Sequence, residues 1–151
     1  MDMLTEEYTL SRIGSLLREG KVKKRHDMIV YLFQVWLEKH GVKKEKMKIL
    51  EEYKGIRPDI IVFKEDNSLI VWEIIEPGDP NYDILNPEIR KKLENLLIRI
   101  YRHILKPKFI ILTDGLSMII YNSDGQIIKI LDDLSSTVAD DDAFLETIAV
   151  K

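Results

Sequence analysis

The segment Leu69-Ile70-Val71-Trp72-Glu73-Ile74-Ile75 constrains this chain more than any other. It is rich in β-branched and aromatic residues, and it does not alternate between apolar and polar. A strand with one wet face repeats every two residues. A strand without that repeat is buried on both faces, so its sheet needs a covering layer on each side. The preceding segment PDIIVFK (58–64) has the same character. Glu65-Asp66-Asn67-Ser68 joins the two, which predicts a hairpin with a four-residue connection. Glu76-Pro77-Gly78-Asp79-Pro80 then breaks the strand.

Helical patterns supply the covering layers. Thr5 can cap a helix over 6–18, which Gly20 ends. A second helix is predicted from about Lys23 to His40, with Gly41 as its stop, and its middle, MIVYLFQVWLE, is apolar nearly all round. Asn86 and Pro87 open a third, with Ile89, Leu93, Leu96, Leu97, Ile100 and Ile104 spaced as one apolar face and Pro107 as its end. Further strands are predicted at MKILEEYK (47–54), FIILTDG (109–115), LSMIIYN (116–122) and QIIKIL (126–131). The order is that of an α/β fold, a mixed β-sheet flanked by helices, with the third helix as a right-handed crossover. The expected organisation is one domain over residues 1–131 followed by an acidic C-terminal tail, 132–151, ending in a short helix around Ala143 to Val150.

Composition narrows the chemistry. The 151 residues include no cysteine, which removes disulfides, thiol nucleophiles and thiolate zinc sites. His26, His40 and His103 have no metal-ligand spacing. There is no membrane-length apolar run, and the first residues lack a basic n-region, so a soluble cytoplasmic protein without membrane contact is expected. Twenty-two isoleucines with abundant Lys and Glu fit a thermophilic source. The net charge of −3 hides an asymmetry: without the acidic run from Asp132 to Glu146, residues 1–131 carry +2. Bases cluster at 21–25, 43–48 and 90–92 and as Arg99, Arg102, Lys106 and Lys108. Such a stripe tracks phosphates or is simply a solvated face.

Glu73 is the anomaly. A carboxylate in a strand this apolar costs several kcal/mol, of the order quoted for buried ions, unless it is paired, neutralised or bound to a cation. Asp59 enters the preceding strand directly after Pro58, and hairpin parity lets it face the same way as Glu73. Two nearby carboxylates repel, and a divalent ion on oxygen ligands resolves that. The alternative is that Asp59 caps a turn while Glu73 pairs with Arg57 or a helix lysine. Trp36 and Trp72 suit base stacking or core packing, and their apolar neighbours favour the core. His26 and His103 read as surface residues that can touch phosphate. Thr113-Asp114-Gly115 reads as a strand-end turn, and there is no phosphate-binding Gly-rich loop.

Arg57-Pro58-Asp59, an apolar strand, a polar turn and a second strand carrying Glu73 resemble the core of the PD-(D/E)XK, or restriction-endonuclease-like, nuclease superfamily. The closest resemblance is to the N-terminal nuclease domain of type I restriction enzyme R subunits. Lys24-Arg25 before the helix HDMIVYLFQVWLEKHG, Glu51 and Glu52 ahead of RPD, the helix bearing Arg99-Ile100-Tyr101, and FIILTDG with IIYNSDG behind it match in order, over about residues 23–126. The resemblance implies a nuclease in which Asp59, Glu73 and the backbone carbonyl of Ile74 hold Mg²⁺ or Mn²⁺. It also implies a lysine two residues after the Glu, where this chain has Ile75. The Gln expected four residues before Tyr101 is Leu97, and an acid near the start of the first core helix is missing. A cation relocated to the crossover helix, Lys92 or Arg99, with Lys48 or Lys54 behind them, is one explanation. A decayed site is the other.

The function expected is therefore divalent-metal-dependent hydrolysis of DNA phosphodiesters, or its degenerate relative. The alternative is a non-catalytic module on the same fold that binds nucleic acid or a partner protein. Lys23, Lys24, Arg25 and Arg99 are the candidate DNA contacts. At this length, without an ATPase motor or Walker A motif, the chain is expected to act alone, as a homodimer, or with separately encoded partner proteins.

Overall fold

The computed structural model describes residues 9–78, 83–135 and 141–148. Six strands form one mixed sheet in the order β1-β2-β3-β4-β5-β6: β1 Met47–Ile49, β2 Ile60–Phe63, β3 Leu69–Ile74, β4 Phe109–Thr113, β5 Met118–Asn122 and β6 Ile127–Leu131. Only β3 and β4 run parallel. The α/β class expected from the sequence is the one found. β3 is covered on both faces: Ile70, Trp72 and Ile74 enter one hydrophobic core, and Leu69, Val71 and Ile75 enter the other.

The first core is closed by helices α1 (Leu10–Arg18), α2 (His26–Lys39) and α5 (Asp141–Ile148). Trp36, Trp72, Phe33 and Phe144 pack there as one aromatic cluster, with Trp36 and Trp72 centroids 6.2 Å apart. Both tryptophans are fully buried, which settles the choice between base stacking and packing. The core crosses the expected 131/132 boundary, because Leu134, Phe144, Leu145 and Ile148 lie within it. Asp141, part of the acidic run in the expected C-terminal tail, is buried. It accepts hydrogen bonds from Trp36 Nε1 (2.7 Å) and from the Leu10 amide at the start of α1.

α1 is capped by Thr9, whose side chain accepts from the Arg12 amide. The cap expected at Thr5 lies outside the described residues. Gly14 is where α1 meets the chain's return: a Cβ there would sit 2.6 Å from the Ser135 nitrogen and 2.9 Å from the Leu134 carbonyl carbon. Gly14→Ala is therefore expected to destabilise the protein by about 2 kcal/mol, as overpacking against backbone does, although Ala is otherwise the better helix former. A thermal unfolding midpoint lowered by several degrees is the outcome to measure.

Two local readings are corrected. The strand expected over 47–54 stops at Ile49, because Leu50 turns to φ 53° and Lys54-Gly55 form a second left-handed turn between bridged Tyr53 and Ile56. The β2–β3 connection is one residue shorter than expected. Lys64 and Ser68 still pair, and Asn67 at φ 67° closes a three-residue loop.

The crossover is α3 (Pro87–Leu93), one π-helical turn (Glu94–Ile98) and α4 (Arg99–Ile104). Asn86 caps it through the Glu88 and Ile89 amides, with Pro87 in the first turn. The π turn adds a residue to the helical repeat, so the apolar face rotates. Leu93, Ile98, Tyr101 and Leu105 are buried, whereas Leu96 and Ile100, expected on that face, are exposed. Glu94, at the start of the π turn, accepts from Tyr121 Oη on β5 (2.7 Å) and lies 3.8 Å from Arg90 Nε.

Candidate active site

The β2–β3 register pairs Ile60 with Trp72. One step further, Asp59 stands opposite Glu73. Asp59 is in the bend before β2 and is 6% exposed, and its carboxylate closes the end of the sheet. Oδ2 accepts from the Ile74 amide at 2.7 Å, and Oδ1 lies 2.7 Å from His26 Nε2. The next amide, that of Ile75, donates to Thr113 O on β4. Alternate residues of a parallel strand address opposite neighbours. The Ile74 amide and carbonyl are therefore turned from β4 toward Asp59, which leaves that carbonyl on the carboxylate side.

Glu73 is the only polar residue of β3 and lies on the crossover-helix side. Tyr101 Oη donates to its Oε1 at 2.6 Å. The π turn decides this contact, because it rotates Tyr101 onto the sheet. Burial first, and then the charge of Asp59, push the Glu73 carboxyl up to about 7. Burial also raises Asp59, against the opposing pull of the Ile74 amide and His26. Burial and the Glu73 carboxylate raise the Tyr101 phenol, which stays the donor.

His26, read from the sequence as a surface residue, joins the site through Asp59. It opens α2, its Nδ1 lies 3.1 Å from Asp27 Oδ1, and its amide donates to Glu76 Oε1 at 2.9 Å. Burial alone would lower its pKa, but Asp27 and Asp59 outweigh burial and raise it. The first turn of α2 carries an acid, Asp27, so the acid expected to be missing near the start of this helix is present.

The cations expected near Glu73 are elsewhere. Among the described residues no Lys or Arg lies within 4.0 Å of its carboxylate. Lys92 and Arg99 are exposed on the crossover helix, and Arg57 Nε donates to Leu50 O instead. Lys48 pairs with Glu51, and Lys54 lies over the Tyr53 ring. Ile75, at 9% exposure, packs into the second core. Lys23 and Arg25 line a cleft of about 790 Å³ that includes His26 and Glu76, while Lys24 is exposed beside it. Arg99 belongs to a different cleft, so the bases do not form one stripe.

The donor set suits one kind of metal. No three His, Asp or Glu side chains among the described residues form a ready cage. Two carboxylates raised by burial, Glu73 also by the charge of Asp59, with a backbone carbonyl beside them, suit a hard cation that keeps most of its water.

Nearly the whole chain superposes on part of a known structure. A cryo-electron microscopy structure of a DrdV–DNA complex matches 93% of this chain with a TM-score of 0.55 and 18% sequence identity. The two share a fold. This chain spans only 13% of the length of that one. No family profile and no curated protein matches the sequence. No helix among the described residues is long and apolar enough to cross a membrane.

Proposed function

We propose that this domain acts on DNA and hydrolyses its phosphodiester bonds with a divalent metal ion, Mg²⁺ or Mn²⁺. The observation that carries the reading is the Asp59–Glu73 pair at the end of the sheet, with Glu73 pushed up to about 7 by burial and by its neighbour's charge. Perturbed carboxylates of this kind mark functional sites. The fold shared with a protein captured on DNA supports the choice of substrate.

Asp59, Glu73 and the Ile74 carbonyl are the groups that would hold the ion. When bound, it supplies Lewis-acid activation of water and offsets charge on the phosphate. The chain's own residues do the rest. The Ile74 amide fixes Asp59, and Tyr101 fixes Glu73. His26 faces a carboxylate at each ring nitrogen and stays protonated to higher pH than a free imidazole. It thereby supplies positive charge where the superfamily's lysine is replaced by Ile75. Lys23 and Arg25 border the approach to it and suit the DNA backbone. The test is cleavage of DNA by purified protein with Mg²⁺ or Mn²⁺, abolished by Asp59→Asn and by Glu73→Gln. Absence of cleavage of single- or double-stranded DNA or RNA, across both metals and a range of temperatures, overturns it.

A second reading, a non-catalytic nucleic-acid-binding module, is favoured by one feature. Both Asp59 oxygens already have protein partners, and Ile75 offers neither charge nor a hydrogen bond. Its signature is salt-dependent DNA binding with no cleavage.

A further inference from the structure

A second cleft, of about 710 Å³, lies between the outer side of α4 and the β5–β6 turn. Arg99, Arg102, His103 and Lys106 line it together with Asn95 and Ser123, and no acid among the described residues does. Arg99 and Lys106 form no ion pair among the described residues. Arg102 is held in place: its Nε donates to Ser123 O at 3.1 Å, and its side chain lies so close to Gly125 that a Cβ there would sit 2.9 Å from Cδ and Nη1. Gly125 has φ 78°, so the turn both needs glycine and leaves the arginine its seat.

Three permanent cations with no ion pair among the described residues repel one another, and a chain of net charge −3 has acids to spare for pairing them. Their concentration in one concave surface calls for an anion with several charges. Arg99, Arg102 and His103 sit roughly 100–160° around the helix from Tyr101, so the cleft opens away from the carboxylate pair. Exposed Ile100 and the Ile104 side chain add apolar wall beside the cations.

We propose that this cleft is a second nucleic-acid site, which grips the phosphodiester backbone of a strand on the side of the crossover helix remote from Asp59 and Glu73. It rests on the DNA reading above for the identity of the polyanion. Phosphate contacts of this kind position a strand without reading its sequence.

The test measures binding of labelled duplex and single-stranded DNA in EDTA, so that its outcome does not depend on whether the protein cleaves. The double variant Arg99→Glu, Lys106→Glu is expected to bind about tenfold or more weakly, with a salt slope shallower by about 1.5. The neutral pair Arg99→Gln, Lys106→Gln is expected to move both quantities the same way by less. Both residues are on the surface, so the melting temperature should hold and identify the loss as one of binding. Unchanged affinity and slope in the charge-reversed protein overturn the proposal. Tripolyphosphate binding that these variants abolish while DNA binding persists also overturns it, in favour of a small-anion site. Loss of cleavage in Asp59→Asn alone bears on the carboxylate site and not on this one.

Discussion

Glu73→Gln should stabilise the metal-free protein at pH 8 while abolishing any metal-dependent cleavage. The Glu73 carboxyl ionises near 7 in the folded chain and near 4.5 when free. Between those values the folded chain binds the extra proton, so unfolding free energy falls as pH rises through the window. The contribution is complete below about pH 4.5 and lost above about pH 7. Asp59 and His26 are also raised and act in the same direction, so the wild type should weaken steadily from mildly acid to mildly alkaline conditions. Comparing Glu73→Gln with wild type cancels the rest of the molecule and isolates this group. Glutamine keeps the acceptor for Tyr101 and removes the charge. The gain at pH 8, discounted for solvent access to the site, is on the order of 2 kcal/mol, or about 5 °C in melting temperature. Millimolar Mg²⁺ or Mn²⁺ should raise the wild-type midpoint at pH 8 and leave that of the variant unmoved. Equal midpoints for the two proteins at pH 5 and at pH 8 would contradict the placement of the charge.

Ile75→Lys should raise metal-dependent cleavage by about 10²-fold or more, the scale on which a positioned proton-transfer or charged group contributes. Ile75 shares the second core with Leu69 and Val71 on the Glu73 side of β3. A lysine stem can follow that apolar wall and bring its ammonium toward the carboxylates. The site already holds surplus negative charge, which offsets part of the cost of burying the ammonium. The readout is initial cleavage rate against wild type, with circular dichroism to confirm the fold. A folded variant whose cleavage does not change would mean that position 75 does not address the carboxylate pair.

The carboxylate pair was legible because its signals are local. Pro58-Asp59 starts a strand, a polar turn fixes parity, and an acid in an apolar strand stands out by its burial cost alone. What surrounds the pair was not legible. His26 is 33 residues from Asp59 in sequence, and nothing in its flanking bases distinguishes it from a surface histidine. Tyr101 was matched in the sequence by resemblance alone. Its contact with Glu73 depends on a π turn, and helical periodicity cannot report an extra residue in the repeat. That is also why Leu96 and Ile100 were assigned to the buried face. The acidic C-terminal run hid Phe144, Leu145 and Ile148, whose partners lie in α1, α2 and the sheet.

The sequence by itself determined the sheet, its two-sided burial, the caps of the crossover helix and the hairpin that sets Asp59 against Glu73. These follow from side-chain period and turn chemistry, which act over a few residues. Only the tertiary structure decided which groups meet the carboxylates, where the bases gather, and that residues 141–148 complete the core. Those outcomes depend on how separate elements pack, and packing energy is shared among residues that the chain keeps far apart.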